Sequence, residues 1–295
     1  YFYWDYVFGI VLCALFFAFT LGSHGENGRS FLTDLRQADF SSIGSALLGG
    51  IIFNASNILL SAAIAVCGMS VAFPVGVGLA LVLGVIINYI GEAKGNPIFI
   101  FIGVFLITIA IILNGIAYKK ASVDNKKVSV KGLTLAISAG FIMAFFYRFV
   151  AASIDLTSFE HPAAGKMTPY TAVFIFSLGI LTSNFLFNTI AMKHPVEGKP
   201  IPISGYFKGR AITHLVGLLG GIIWCVGQSF SMIASEKAGA AISYGLGQGA
   251  TLVSALWGIL IWKEFKGATP ICRILNMCMF ILFLIGLYCL IYAGA

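Results

Sequence analysis

Residues 49–95 read GGIIFNASNILLSAAIAVCGMSVAFPVGVGLALVLGVIINYIGEAKG, and residues 220–267 read GGIIWCVGQSFSMIASEKAGAAISYGLGQGATLVSALWGILIWKEFKG. Both stretches open with GGII and an aromatic residue, and both close with Glu-x-Lys-Gly. At the constant offset of 171 that aligns them, Asn57 falls on Gln228. Aligned leucines mean little in apolar helices, but aligned carboxamides and glycine pairs are harder to obtain by chance. The sequence therefore predicts an internal repeat.

The whole chain shares the apolar character of these two copies. Of its 295 residues, 59% are apolar and 10% are charged, whereas soluble domains carry about 25% charged residues. A helix needs about 20 residues to cross a hydrocarbon core of ~30 Å. Hydropathy places such spans at 4–22, 42–66, 69–91, 97–118, 133–153, 168–192, 211–234, 239–262 and 270–293. We therefore expect an all-α membrane protein with nine spans in this sequence.

The repeat also predicts how the spans are organised. The same offset maps 168–192 onto 4–22, whereas 133–153 maps before Tyr1. Two five-helix halves thus predict a bundle of ten helices, with the first absent from this sequence. An odd number of helices per half makes the repeats inverted, a plan found in secondary transporters. The expected division is a first repeat at 1–118 (helices two to five), a basic connector at 119–131 and a second repeat at 132–295 (helices six to ten).

The connectors between spans predict an orientation. Those at 119–131 and 193–210, with the segment around Lys263, hold twelve Lys and Arg, and the connectors of the opposite side hold five. The basic side should be cytoplasmic, which places the C-terminus outside a multi-pass protein of a cell membrane, inner or plasma. The net charge of +7 lies in these connectors and forms no basic stripe, so we expect no nucleic-acid partner.

Two local features qualify this topology. The connector 23–41 mixes apolar residues with charges and is expected to contain a short interfacial helix. Pro74 lies inside a span, where a proline kinks or breaks a helix, and it aligns with Gly245 in the repeat. Interrupted helices at matching positions of two halves are typical of a transporter site.

Polar side chains inside the spans mark candidate binding residues, because they are costly in a bilayer unless they face protein or water. Four helices each carry such residues on one face, at spacings of three, four or seven. They are Asn54, Asn57 and Ser61; Ser177, Asn184 and Asn188; Trp224, Gln228 and Ser231; and Tyr244, Gln248 and Thr251. The alternative is structural, since such groups also hydrogen-bond between helices at about 0.6 kcal/mol each.

The pair Asn57 and Gln228, with Trp224, is the preferred solute site because the two carboxamides correspond in the repeat. A carboxamide both donates and accepts hydrogen bonds, and an indole covers a sugar or a planar ring. Such a site suits a neutral solute with several hydroxyl or amide groups.

Charged residues within spans are few. Arg148 has no acid at a similar depth, so it either snorkels to the interface or contacts the solute. His214 begins a span and offers one route for proton coupling, whereas Asp5 and Glu92 are interpreted as interfacial caps. The sequence has no nucleotide-binding loop or zinc signature. We therefore expect no metal, no cofactor and no enzyme activity.

The segments FNASNILLSAAIAVCGMSVAFPV (53–75) and GGIIWCVGQSFSMIASEKAGAAISYGL (220–246) resemble the drug/metabolite transporter superfamily. Within it they are most similar to the group of glucose/ribose porters, rhamnose symporters and ureide permeases. The resemblance implies solute transport by alternating access, often coupled to protons, with sugars, ureides or nucleobases as substrates. It also implies that Asn57, Gln228 and Trp224 bind the substrate.

We thus expect a permease for a small polar solute in the lipid bilayer, a monomer or homodimer with the proton as candidate coupling ion. Three alternatives remain. The first is an exporter of drugs or amino acids on the same fold, which the 26 phenylalanines favour. The second is a channel-like facilitator. The third is a scaffold or sensor that does not transport, in which the polar faces pair with one another.

Overall fold

The computed structural model describes residues 1–22, 29–121 and 129–294, and this part of the chain is built from α-helices. Eight helical runs in it are long and apolar enough to cross a membrane, which confirms the expected all-α membrane protein. The helices are α1 (Phe2–Phe19), α2 (Phe31–Gln37), α3 (Phe40–Cys67), α4 (Met69–Ala72), α5 (Gly78–Gly91), α6 (Pro97–Ala121), α7 (Val130–Ser153), α8 (Pro169–Lys193), α9 (Ala211–Ala238), α10 (Ala240–Gly247), α11 (Ala250–Leu260) and α12 (Pro270–Ala293).

The predicted span 239–262 is the one that the structure corrects. It is not one helix but two, α10 and α11, joined by a turn at 248–249, so eight of the nine predicted spans are single helical runs in the described residues. Closely spaced glycines disfavour a continuous helix here. In the first copy the run from α4 to α5 passes through a π-helical segment, Phe73–Val77, around Pro74. The expected interruption is therefore present in both copies.

The repeat seen in the sequence recurs in the backbone. Helices α3 and α9 have 28 residues each, and both their starts and their ends are separated by the offset of the sequence repeat. Gly68 follows α3 with φ 84° and Gly239 follows α9 with φ 83°, a left-handed conformation that glycine adopts without steric cost. The inverted orientation of the copies and the boundaries 1–118, 119–131 and 132–295 stay predictions.

The short helix expected in 23–41 is α2, with residues 23–28 outside the described part. Asp34 of α2 is fully buried. Its carboxylate accepts a hydrogen bond from the backbone N–H of Thr168 at 2.8 Å and pairs with Arg29 at 3.1 Å. These bonds tie α2 to the start of α8.

The described chain divides into two compact units that differ from the two sequence repeats. The first unit comprises Tyr1–Ala55 and Phe145–Ala240, and the second comprises Ser56–Ala144 and Ala241–Ala295. Each unit takes helices from both halves of the sequence, and α3 and α7 contribute to both.

In the first unit the GGII glycines allow the backbones of neighbouring helices to contact each other directly. A Cβ at Gly50 of α3 would lie 2.1 Å from the carbonyl oxygen of Phe176 in α8. A Cβ at Gly221 of α9 would lie 1.9 Å from the carbonyl oxygen of Tyr6 in α1. Gly50 and Gly221 correspond in the repeat, so α3 packs on α8 as α9 packs on α1. Small residues at helix contacts are the usual basis of association in membranes.

The second unit uses the same device between α6 and α12. A Cβ at Gly103 would lie 2.7 Å from the carbonyl oxygen of Gly286, and one at Gly286 would lie 2.8 Å from that of Gly103.

At the start of α4, the Glu264 carboxylate accepts hydrogen bonds from the backbone N–H groups of Met69 at 2.9 Å and Ser70 at 2.8 Å. A carboxylate at a helix N-terminus satisfies donors that have no partner within the helix.

Candidate functional site

An aromatic cluster joins four helices of the first unit around Trp224 of α9. The Trp224 ring centroid lies 4.4 Å from that of Phe53 in α3, 6.1 Å from that of Phe176 in α8 and 6.4 Å from that of Tyr6 in α1. Phe53 and Phe176 are buried, whereas Trp224 is half-buried. We call these four residues the aromatic cluster. The Trp224 indole and the Tyr6 ring, which is also half-buried, have surface left to cover a planar solute.

Asn54 lies beside this cluster because it follows Phe53 in α3. Its side-chain oxygen accepts a hydrogen bond from the Tyr3 hydroxyl at 2.8 Å. Its side-chain nitrogen donates to the Ser183 hydroxyl at 2.8 Å and to the Ile180 carbonyl at 3.2 Å. Asn54 is fully buried, so its carboxamide connects α1, α3 and α8. This is the structural role that the sequence left open as an alternative to solute binding.

Other carboxamides of the first unit have polar atoms without a partner. Both side-chain polar atoms of Asn184 and the side-chain nitrogens of Asn188 and Gln228 are buried and make no hydrogen bond within the described residues. Asn184 directly follows Ser183, and Gln228 lies one turn beyond Trp224. An unsatisfied buried amide costs about 1–3 kcal/mol. These groups are therefore suited to hydrogen-bond a polar solute.

Arg148 lies near the end of α7 and is half-buried. Among the residues that the structure describes, its guanidinium has no ion-pair partner, since the ion pairs there involve other side chains. Its neighbour Tyr147 is buried and donates a hydrogen bond to the Ser231 carbonyl at 3.0 Å. This bond ties α7 to the polar face of α9 that also carries Gln228.

Three of the nine predicted site residues, Asn57, Tyr244 and Gln248, belong to the second unit. Tyr244 is 1% exposed, and its hydroxyl donates to the Ala80 carbonyl at 3.1 Å. Gln248 lies in the turn between α10 and α11, and Asn57 lies on α3. The pairing of Asn57 with Gln228 joins residues of different units and stays a prediction.

The sequence missed a cluster of ionisable groups around Asp5. The Asp5 carboxylate is 3% exposed and lies 2.9 and 3.0 Å from Nδ1 of His214 in α9. It also accepts a hydrogen bond from the Tyr206 hydroxyl. The sequence interpreted Asp5 as an interfacial cap, but its carboxylate pairs with another helix. The predicted topology could have indicated this contact, because it places Asp5 and His214 at the same membrane face.

A cleft of about 540 Å³ opens at this cluster, lined by Asp5, Tyr206 and His214 among apolar residues. Burial and the hydrogen bond to Asp5 raise the pKa of Tyr206 to about 12. The phenol is therefore protonated at neutral pH and acts as a donor to the carboxylate.

Eight membrane-spanning runs, with buried polar groups and an aromatic cluster among them, define a multi-pass membrane protein. The ureide permease family model matches residues 2–131 and 125–293, which together cover nearly the whole chain. The chain therefore belongs to the ureide permease family, whose members are transporters and not enzymes.

Individual relatives are distant but cover most of the chain. Ureide permease 1 of Arabidopsis thaliana is 24% identical over 342 aligned positions, covering 96% of this chain and 86% of the relative. Ureide permease 3 of the same plant is 25% identical, covering 80% of this chain and 76% of the relative. Probable ureide permease A3 of Vigna unguiculata is 23% identical, covering 90% and 87%. The wider resemblance to the drug/metabolite transporter superfamily and to sugar porters stays a prediction.

Proposed function

We propose that this chain carries a small polar solute of the ureide class across a membrane by alternating access. The relatives are named as ureide permeases. A ureide contains the N–C(=O)–N unit of urea, which presents N–H donors and a carbonyl acceptor side by side. The observation that carries the proposal is the set of buried amide atoms at Asn184, Asn188 and Gln228 that have no hydrogen-bond partner among the described residues, because such groups match this unit.

The proposal gives each candidate residue a role. Trp224 covers the planar face of the solute, while Gln228, Asn184 and Asn188 hydrogen-bond its amide groups. Asn54, whose own bonds are made within the protein, positions the neighbouring ring of the aromatic cluster. Arg148 offers a donor to a carbonyl or carboxylate group of the solute. Asn57, Tyr244 and Gln248 stay candidates from the sequence.

Binding tests this proposal without requiring transport. The purified protein is heated with ureides, sugars, nucleobases, amino acids and cationic drugs, and the shift in Tm is measured. A ligand at 100 times its Kd stabilises the folded state by about 2.7 kcal/mol. We expect a shift with ureides, and a five- to hundredfold weaker affinity in Gln228→Ala and Asn184→Ala, because each change removes about 1–3 kcal/mol of buried hydrogen bonding.

The matched control is Thr182→Ala, two residues from Asn184 on the exposed side of α8. Within the described residues the Thr182 hydroxyl bonds to carbonyl groups of its own helix. This variant should keep the affinity of the unchanged chain. If all three variants bind the solute with equal affinity, the assignment of Gln228 and Asn184 to the solute site is wrong. A shift with cationic drugs alone would favour an exporter.

Proton coupling is the second part of the proposal, with Asp5 and His214 as the proton site. The pair combines a buried carboxylate with an imidazole, the group whose ordinary pKa lies nearest neutral pH. Tyr206 faces the same carboxylate, and Lys208 and Arg210 flank it in the adjoining connector. A pH gradient across proteoliposomes should therefore drive uptake, and both Asp5→Asn and His214→Gln should abolish that dependence.

His194→Gln is the control for proton coupling, because His194 is exposed at the end of α8. Uptake by this variant should respond to the gradient as in the unchanged chain. Gradient-driven uptake that survives both Asp5→Asn and His214→Gln would contradict the assignment of the proton site, while leaving solute binding intact.

A further inference from the structure

An apolar groove of about 560 Å³ runs along the second unit between α11 and α12. Five of its apolar lining residues are large and between 43% and 63% exposed. They are Leu256, Leu260, Met277, Ile281 and Leu284. Because α12 is one of the membrane-spanning helices, this groove faces an environment that is itself apolar.

Three cations line the same groove at one end. Lys263 and Lys266 come from the connector between α11 and α12, and Arg273 lies in the first turn of α12. The acid nearest in sequence is Glu264, but its carboxylate accepts the hydrogen bonds of Met69 and Ser70 at the start of α4. Within the described residues the ion pairs involve other side chains, so the three cations have no anionic partner there.

The distance between the charged end and the apolar end matches one leaflet of a bilayer. Arg273 and Leu284 are eleven residues apart on α12, or about 16 Å at 1.5 Å per residue. Half of a ~30 Å hydrocarbon core is about 15 Å. An acyl chain that runs from the cations to Leu284 would therefore reach the bilayer midplane.

We propose that this groove binds an anionic phospholipid. Its phosphate is held by Lys263, Lys266 and Arg273, and one acyl chain lies along the apolar residues. Basic pockets beside membrane helices recognise anionic head groups in this way. A zwitterionic head group would bring its own ammonium towards three cations and is disfavoured. A soluble anion would need only the three cations, whereas the long apolar part of the groove is suited to an acyl chain.

The test is the Tm of the purified full chain in detergent with added phosphatidylglycerol, phosphatidylcholine or inorganic phosphate. Phosphatidylglycerol at 100 times its Kd should raise Tm by about 5–10 °C, and the other two should not. The triple variant Lys263→Gln, Lys266→Gln and Arg273→Gln should lose the shift. The control triple Lys193→Gln, Lys199→Gln and Lys208→Gln removes the same charge from another connector and should keep it.

A second variant tests the acyl-chain site without changing charge. Met277→Trp fills the groove at a residue that is 57% exposed, so folding should tolerate it, and the affinity for phosphatidylglycerol should fall about tenfold or more. Three results would overturn the proposal. They are an equal shift with phosphatidylcholine, an equal shift with inorganic phosphate, and an equal loss in both triple variants.

Discussion

Replacing Gly221 by alanine inserts a methyl group into the contact between α9 and α1. The new Cβ would lie 1.9 Å from the carbonyl oxygen of Tyr6 and 2.9 Å from the backbone nitrogen of Ile10. Favourable contacts between heavy atoms lie at about 3.5–4.0 Å, so the two backbones must separate by more than an ångström. Overpacking of this kind costs about 1–3 kcal/mol, while alanine recovers up to about 1 kcal/mol through its higher helix propensity. The expected net loss is about 1–2 kcal/mol.

Thermal unfolding of the purified protein measures this loss. At about 2–4 °C per kcal/mol for chains of 150–250 residues, Gly221→Ala should lower Tm by roughly 2–8 °C. Gly50→Ala should do the same, because its Cβ would lie 2.1 Å from the carbonyl oxygen of Phe176. Gly227→Ala in α9 is the control, since nothing lies within 4 Å of a Cβ there. Equal Tm values for all three variants would refute the reasoning that the GGII glycines are contact positions.

Three further predictions concern single side chains. Glu264→Gln should lower the free energy of unfolding by about 0.5–2 kcal/mol, because the charged cap of α4 is lost, and an unchanged Tm would contradict this. Asn54→Leu should cost about 1–2 kcal/mol, since it removes hydrogen bonds between membrane helices worth about 0.6 kcal/mol each. Chemical denaturation is the measurement, and full stability in Asn54→Leu would show that these bonds contribute nothing. Burial and the bond to Asp5 raise the pKa of Tyr206 from 10.0 to about 12, so its stabilising contribution is complete below pH 10 and lost as pH rises towards 12. Between pH 10 and 12 the Tm of Tyr206→Phe should therefore fall less than the Tm of the unchanged chain. Parallel curves of Tm against pH for the two proteins would rule out this contribution.

Features governed by local sequence were predictable. The span predicted at 270–293 coincides with α12, Pro270–Ala293, because a proline starts it and the apolar run has a clear length. The repeat likewise predicted matching interruptions, because Pro74 and the glycines near Gly245 disfavour a regular helix wherever they occur.

Features governed by contacts between distant helices were not predictable from one sequence. The pairing of Asp5 with His214 depends on how α1 packs on α9, and hydropathy carries no information on rotation about a helix axis. The same holds for Asn54, whose polar face was recognised but whose partners, Tyr3 and Ser183, were not. The GGII glycines likewise stand out in the sequence as a repeated pair, but the helices that they contact do not.

Uptake of a labelled ureide into proteoliposomes tests the central claim most directly. The account predicts saturable uptake above that of protein-free liposomes, with a higher KM in Gln228→Ala and an unchanged KM in Thr182→Ala. Folded protein that transports no ureide, or that transports it equally well in Gln228→Ala, would contradict the account.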